Sequence, residues 1–150
     1  MDKRPSWDEY FAKICDDVAA RSTCIKEGRQ YGAVIVNDKH EIVATGYNGV
    51  VRGAQHCSDV GCIKDEMGIS TGMGHGICPA VHAEMNALIQ AGNRARGCTL
   101  YINGDPCKIC ARLIVNAGIK KVVVCGEYSD KTGLQIMRDA GVEVMHLNKE

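Results

Sequence analysis

The chain has 150 residues, 18 of them basic and 18 acidic, and nine are cysteines. That length predicts one domain with a real buried core, and a net charge of zero without a basic run argues for a small ligand rather than a polynucleotide. Met1-Asp2-Lys3-Arg4-Pro5 carries no apolar stretch, and no apolar run approaches a membrane span. A cytoplasmic chain is therefore expected, in which clustered cysteines read as metal ligands before disulfides.

Ser6-Trp7-Asp8-Glu9 fits a capping box, and the helix it starts is expected to run to about Arg21 with Trp7, Phe11, Ile14 and Val18 on one side. Ala33 to Val36 and Ile42 to Thr45 read as short strands, joined by a turn at Asn37-Asp38-Lys39-His40. An irregular stretch from Val50 to Ile77, rich in glycine, cysteine and histidine, follows Gly46-Tyr47-Asn48-Gly49. Pro79 precedes a helix with Val81, Met85, Leu88 and Ile89 as its stripe, closed by Gly92. After a strand at Cys98 to Ile102, Asp105 and Pro106 read as N-cap and first residue of a helix striped by Ile109, Leu113, Ile114 and Ala117. A strand at Val122 to Cys125, a helix at Thr132 to Ala140 and a strand at Val142 to His146 complete the chain. Strands alternating with helices imply a largely parallel sheet, to which the opening hairpin adds one antiparallel strand. Cys15, Cys98 and Cys125 fall in apolar patterns and are expected to be small core residues.

Two motifs carry chemistry. His82-Ala83-Glu84 and Cys107-Lys108-Ile109-Cys110 each open a predicted helix, where the positive dipole end favours thiolate. His82, Cys107 and Cys110 supply one imidazole and two thiolates, which leaves a tetrahedral zinc one open position, as a catalytic zinc requires. Water at such a position becomes nucleophilic near neutral pH, and Glu84 adds a carboxylate beside it for proton transfer. The bland alternatives are a closed zinc site and a Glu84 that serves only as a helix N-terminal charge. A second cluster lies in the irregular stretch. A closed four-ligand zinc on Cys24, Cys57, His75 and Cys78, with Cys62 as substitute, would tie down a segment poor in apolar residues. The alternative there is a set of free thiols. The small residue Ala83 at a helix start allows a ligand to approach its backbone closely. His40 and His146 read as surface or edge residues.

The pairing of His82-Ala83-Glu84 with Pro106-Cys107 to Cys110 resembles the signature of zinc-dependent nucleobase deaminases. Along nearly its whole length the chain is similar to the deoxycytidylate (dCMP) deaminase family of the cytidine deaminase-like superfamily. The likeness rests on Arg4-Pro5-Ser6-Trp7-Asp8-Glu9-Tyr10-Phe11, Arg21-Ser22-Thr23-Cys24, Gly32-Ala33-Val34-Ile35-Val36, Gly46-Tyr47-Asn48-Gly49, the two zinc motifs, and Asn116-Ala117-Gly118-Ile119-Lys120. The chain departs from the family pattern around Glu27-Gly28, at Tyr31, at Val51 and at Asn103-Gly104-Asp105.

The resemblance implies an α/β fold, a three-layer α/β/α sandwich on a five-stranded mixed sheet, and a homo-oligomer. It implies zinc-dependent hydrolysis of dCMP to dUMP and ammonia, which supplies thymidylate synthesis, and effectors dCTP and dTTP in some members. It implies that Asn48 bonds the sugar and that Tyr128 lines the base or phosphate pocket, although a turn asparagine and a surface tyrosine are the plain alternatives. Arg21, Lys26, Arg29 and Arg52 are the candidate cations for phosphate or effector. The rival readings are a deaminase of another cytosine nucleoside or nucleotide, a polynucleotide deaminase, and a non-catalytic zinc module that binds nucleotide and has no use for Glu84.

Overall fold

Ser6 starts the first helix by a reciprocal cap: the Glu9 N–H donates to Ser6 Oγ at 3.1 Å and the Ser6 N–H donates to Glu9 Oε1 at 3.2 Å. The computed structural model describes residues 3–26, 28–69, 78–126 and 131–147. Helix α1 (Trp7–Ala19) buries Phe11, Ala12, Cys15 and Ala19. It ends slightly before the expected Arg21, and Trp7 lies outside the core, stacked on the exposed His40 with ring centroids 4.3 Å apart.

Strands β1 (Gly32–Val36) and β2 (Ile42–Tyr47) form the hairpin, and a short strand β3 (Gly49–Val50) leaves it. The stretch expected to be irregular holds two single-turn helices, α2 (Cys57–Val60) and α3 (Ile63–Glu66). A four-residue turn has no period to read, so sequence pattern misses it. Strand β4 (Ala80–Val81) pairs with β3, and α4 (Ala83–Ala91) follows. Then come β5 (Thr99–Ile102), α5 (Lys108–Asn116), β6 (Lys121–Cys125), α6 (Thr132–Asp139) and β7 (Glu143–Leu147).

The main sheet has five strands in the order β2-β1-β5-β6-β7. β1 runs antiparallel to both neighbours, whereas β5, β6 and β7 are parallel, so the sheet is mixed as expected. Alternation along each strand sends side chains to two cores. Val34, Val36, Tyr101, Val123 and Cys125 pack under α1 against Phe11. Ala33, Ile35, Leu100, Ile102, Val122 and Val124 pack on the other face with α4, α5 and α6. The result is the three-layer sandwich. Cys15, Cys98 and Cys125 are buried core residues. Among the described residues, no helix is long and apolar enough to cross a membrane.

Two apolar stripes face otherwise than expected. α4 begins at Ala83, not near Pro79, and Val81 belongs to β4. Its inward face is Ala83, Ala87 and Ala91, while Ile89 is 75% exposed. Gly46 explains the choice: a Cβ there would lie 2.4 Å from Ala83 O and Ala87 N, so β2 and α4 meet backbone to backbone. Only small side chains fit such an approach. In α5, Ala111 and Ile114 face the core and Ile109 and Leu113 stay exposed.

Candidate active site

Two loops ending in helix starts build the site. The β3–β4 ribbon pairs Gly49 with Val81 and Val50 with Ala80, and so delivers His82 to the N-cap of α4. Asn86 ties the same helix to the end of β2, donating from Nδ2 to Tyr47 O at 2.8 Å. On the other side Cys107, not Asp105, is the N-cap of α5, and its Sγ accepts from the Cys110 N–H at 3.4 Å. A thiolate serves there as the capping acceptor, which the sequence motif does not reveal because cysteine is an uncommon cap.

His82 Nδ1 lies 3.2 Å from Cys110 Sγ and 3.7 Å from Cys107 Sγ. A tetrahedral zinc with its ordinary Zn–N and Zn–S lengths separates those atoms by roughly 3.5 Å. The three ligand atoms fit that metal, and among the described residues no other trio of His, Cys, Asp or Glu has its ligand atoms within 4.8 Å of one another. The Cys107 thiol is pushed down to about 3, first by the hydrogen bond from the Cys110 thiol and then by His82. The Cys110 thiol is pushed up, first by that same bond and then by burial. The pair thus holds one proton between two sulfurs without metal, and binding a divalent cation displaces it.

Glu84, in the first turn of α4, is 5% exposed. Burial raises its proton affinity, opposed by its own backbone N–H and by His82. His82 is itself held more basic than usual, chiefly by the Cys107 sulfur and then by Glu84. A buried carboxylate with raised proton affinity beside an open metal position can both accept and return a proton near neutrality.

His82, Glu84 and Cys107 line a cavity of about 170 Å³. Asn48, 7% exposed, lines it too, and its amide is anchored: Oδ1 accepts from the Tyr31 N–H at 2.8 Å and Nδ2 donates to Arg29 O at 2.8 Å. Asn48 therefore fixes the backbone of the 29–31 segment at the rim. Ala83 is buried at the first residue of α4. Of the four candidate cations, Lys26 and Arg29 line this cavity, whereas Arg21 and Arg52 line a separate one beside Asn86 and Gln90. Sequence position alone does not reveal which of the two cavities each cation lines.

The structure adds Tyr31 and Lys64 to the cavity wall. Arg29 Nη1 donates to Tyr31 Oη at 2.6 Å, and the Tyr31 ring occupies the place a side chain at Gly104 would need, 2.5 Å from a Cβ built there. Tyr31 and Gly104, at two positions expected to depart from the family pattern, are thus in contact. Cys24, Cys57, Cys62 and Cys78 line the same cavity, but no three of their sulfurs lie within 4.8 Å of one another. The Cys57 thiol is pushed up, first by burial and then by Cys24, Cys78 and Cys62. His75 and Tyr128 lie outside the described residues.

Residues 5–126 match the family described as the cytidine and deoxycytidylate deaminase zinc-binding region. The deoxycytidylate deaminase of Schizosaccharomyces pombe is 39% identical over 144 residues, covering 94% of this chain and 44% of the yeast protein. The chain therefore spans less than half of that relative. The deoxycytidylate deaminase of a Mycobacterium phage is 42% identical over 126 residues, covering 80% of this chain and 94% of the phage protein. The dCMP deaminase of cyanophage S-TIM5, solved in complex with dCMP and dUMP, superposes with a TM-score of 0.75 at 26% identity, covering 97% of this chain and all (100%) of the other. With a His/Cys/Cys trio of the right dimensions beside a buried glutamate, and a match along most of its length, the chain belongs to the cytidine and deoxycytidylate deaminase zinc-binding family.

Proposed function

We propose that this chain is a single deaminase domain that hydrolyses dCMP to dUMP and ammonia, supplying dUMP for thymidylate synthesis in the cytoplasm. The observation that carries the reading is Glu84, buried beside a three-ligand metal set inside a cavity. A non-catalytic metal module has no use for a carboxylate desolvated there. The substrates named for the S. pombe, phage and cyanophage relatives support the choice of dCMP.

His82, Cys107 and Cys110 would hold a zinc ion, which would supply the Lewis acidity that makes water a nucleophile near neutral pH. Glu84 accepts the proton of that water and passes it to N3 of the cytosine ring as C4 becomes tetrahedral. It then moves a second proton from the added hydroxyl to the amino group, the C4–N bond breaks, and ammonia leaves. The sum is dCMP plus water giving dUMP plus ammonia. The Ala83 backbone is suited to hold the base carbonyl. Asn48 keeps one N–H beyond its two backbone bonds, and that donor suits the sugar. Tyr128 is assigned to the base or phosphate side, and Lys26 and Arg29 to the phosphate.

Three further assignments accompany this reading. Cys24, Cys57, His75 and Cys78 hold a second, structural zinc, with Cys62 as the substitute ligand. The separate cavity with Arg21 and Arg52 receives a dCTP or dTTP effector. The exposed Ile89, Ile109 and Leu113 on α4 and α5 pack against a second copy in a homo-oligomer. The test of the activity is ammonia release from dCMP, CMP, deoxycytidine and dCTP. The highest kcat/KM is expected for dCMP, because a site built to pair an anion leaves its own cations unpaired when the anion is missing. Equal turnover of deoxycytidine and dCMP would place the chain among nucleoside deaminases.

A further inference from the structure

We propose that Lys64 of α3 binds the substrate's phosphate group in the catalytic cavity and sets the preference for a nucleoside monophosphate over a nucleoside; this rests on the deaminase reading above. Lys64 is 8% exposed. Lysine is seldom buried to that degree unless paired, because removing an ammonium from water is costly. Yet among the described residues no carboxylate lies within ion-pair distance of it. Its acidic neighbour Asp65 is engaged elsewhere, 2.8 Å from Lys26 Nζ.

The stem is what is buried. Lys64 Nζ is not among the buried polar side-chain atoms left without a hydrogen bond, so the ammonium keeps access to open volume. That volume is the cavity shared with His82 and Glu84, which Lys64 lines. The side chain thus follows the ordinary habit of lysine, an apolar stem with a solvated head, in the wall of the cavity that holds His82 and Glu84. The ammonium is also near enough to His82 to oppose its protonation.

The other two long cations of the cavity, assigned above to the same phosphate, can reach it only by giving up bonds they already make. Lys26 pairs with Asp65, and Arg29 donates to Tyr31 Oη. Lys64 is the cation of this cavity for which no protein partner is described, so an incoming anion meets it without first breaking a bond. Its backbone is fixed from both sides: Cys57 and Cys62 are buried before it, and the Ile69 N–H donates to Lys64 O at 2.8 Å. The Lys26–Asp65 pair ties the same turn to the Cys24 segment. A positively charged head on a fixed turn discriminates strongly between substrates with and without a charge.

The test compares kcat/KM for dCMP and for deoxycytidine in wild type, Lys64→Met and Lys64→Arg. Methionine keeps the apolar stem and removes the charge. The ratio of the two constants is expected to fall roughly ten- to hundredfold in Lys64→Met, from loss of one charge-assisted hydrogen bond, and to return largely in Lys64→Arg. A second readout needs no turnover: the rise in Tm that dUMP gives the zinc-loaded wild type should shrink in Lys64→Met and be kept in Lys64→Arg. If Lys64→Met does not fold, Lys64→Gln takes its place in both measurements. A wild type that prefers dCMP together with a Lys64→Met enzyme that keeps the same ratio and the same dUMP shift overturns the assignment of Lys64 while leaving the deaminase reading intact. A wild type with no preference for dCMP overturns both.

Discussion

Glu84 and Tyr101 show two opposite uses of a buried ionisable side chain. At Glu84 burial raises proton affinity beside the His/Cys/Cys trio, where the proton has somewhere to go. Glu84→Gln keeps the shape and removes the proton acceptor, so ammonia release is expected to drop by roughly 10²- to 10⁴-fold, the range of one positioned general acid–base group. Zinc per chain, measured on the same samples, should not change. A variant with zinc bound and a near-normal rate would remove Glu84 from proton transfer. Tyr101 has a structural use: its buried hydroxyl donates to Asp8 Oδ1 at 2.6 Å and fastens α1 to β5. Burial first, then that hydrogen bond, raises the phenol's pKa well above its ordinary value. The unfolded chain therefore releases this proton at lower pH than the folded chain does. The stability Tyr101 contributes is full below about pH 10, the ordinary tyrosine value, and is lost as pH rises beyond it. Tyr101→Phe is expected to cost about 1.5–3 kcal/mol at pH 7 and to flatten the decline above pH 10. Urea unfolding of both proteins at pH 7 and above pH 10 checks this, and parallel pH curves would contradict it.

At the scale of elements, the short helices α2 and α3 stand out because nothing local stabilises them. A single turn is well below the length at which a helix persists alone. What holds them is the burial of Cys57 and Cys62 and the Lys26–Asp65 pair. A second zinc on this thiol cluster would add its binding free energy to their stability. Elemental analysis is then expected to find about two zinc ions per chain, by ligand counting. Cys57→Ala should remove one of them and lower Tm, while the His82, Cys107 and Cys110 set stays loaded. A stoichiometry of one that Cys57→Ala leaves unchanged would make the four cysteines plain thiols. α4 and α5 behave differently. Metal-ligand residues occupy the N-cap positions of both, and the inward face of α4 is set by its close approach to β2.

For the whole molecule, that close approach has a consequence on the opposite side. Ile89, Ile109 and Leu113 remain exposed on two adjacent catalytic helices, although a chain folding alone would gain by turning them inward. A second copy seated there, as proposed above, would give them a partner. Leu113→Glu is then expected to shift the molecular mass from light scattering toward the monomer, without loss of bound zinc, because Leu113 is exposed and is not one of the metal trio. A wild-type monomer, or an assembly indifferent to Leu113→Glu, would refute the assignment.

His82, Glu84, Cys107 and Cys110 were legible in the sequence because each pair is local, two or three residues apart at a helix start, where caps and dipole act over a single turn. The capping box at Ser6, the five strands of the main sheet and their mixed sense were legible for a similar reason: each rests on a short-range period, a hairpin turn or an obligatory crossover. Tertiary structure alone decided the rest. A 3.6-residue period allowed two faces for α4, and only the contact of Gly46 with Ala83 and Ala87 selected the small one. The same long-range geometry sent Lys26 and Arg29 to the catalytic cavity and Arg21 and Arg52 away from it. It also carried Lys64, on a turn without periodicity, to the wall beside Glu84. Sequence pattern registers which residues repeat on one element; it holds no term for the distance between elements, and those three outcomes are distances between elements.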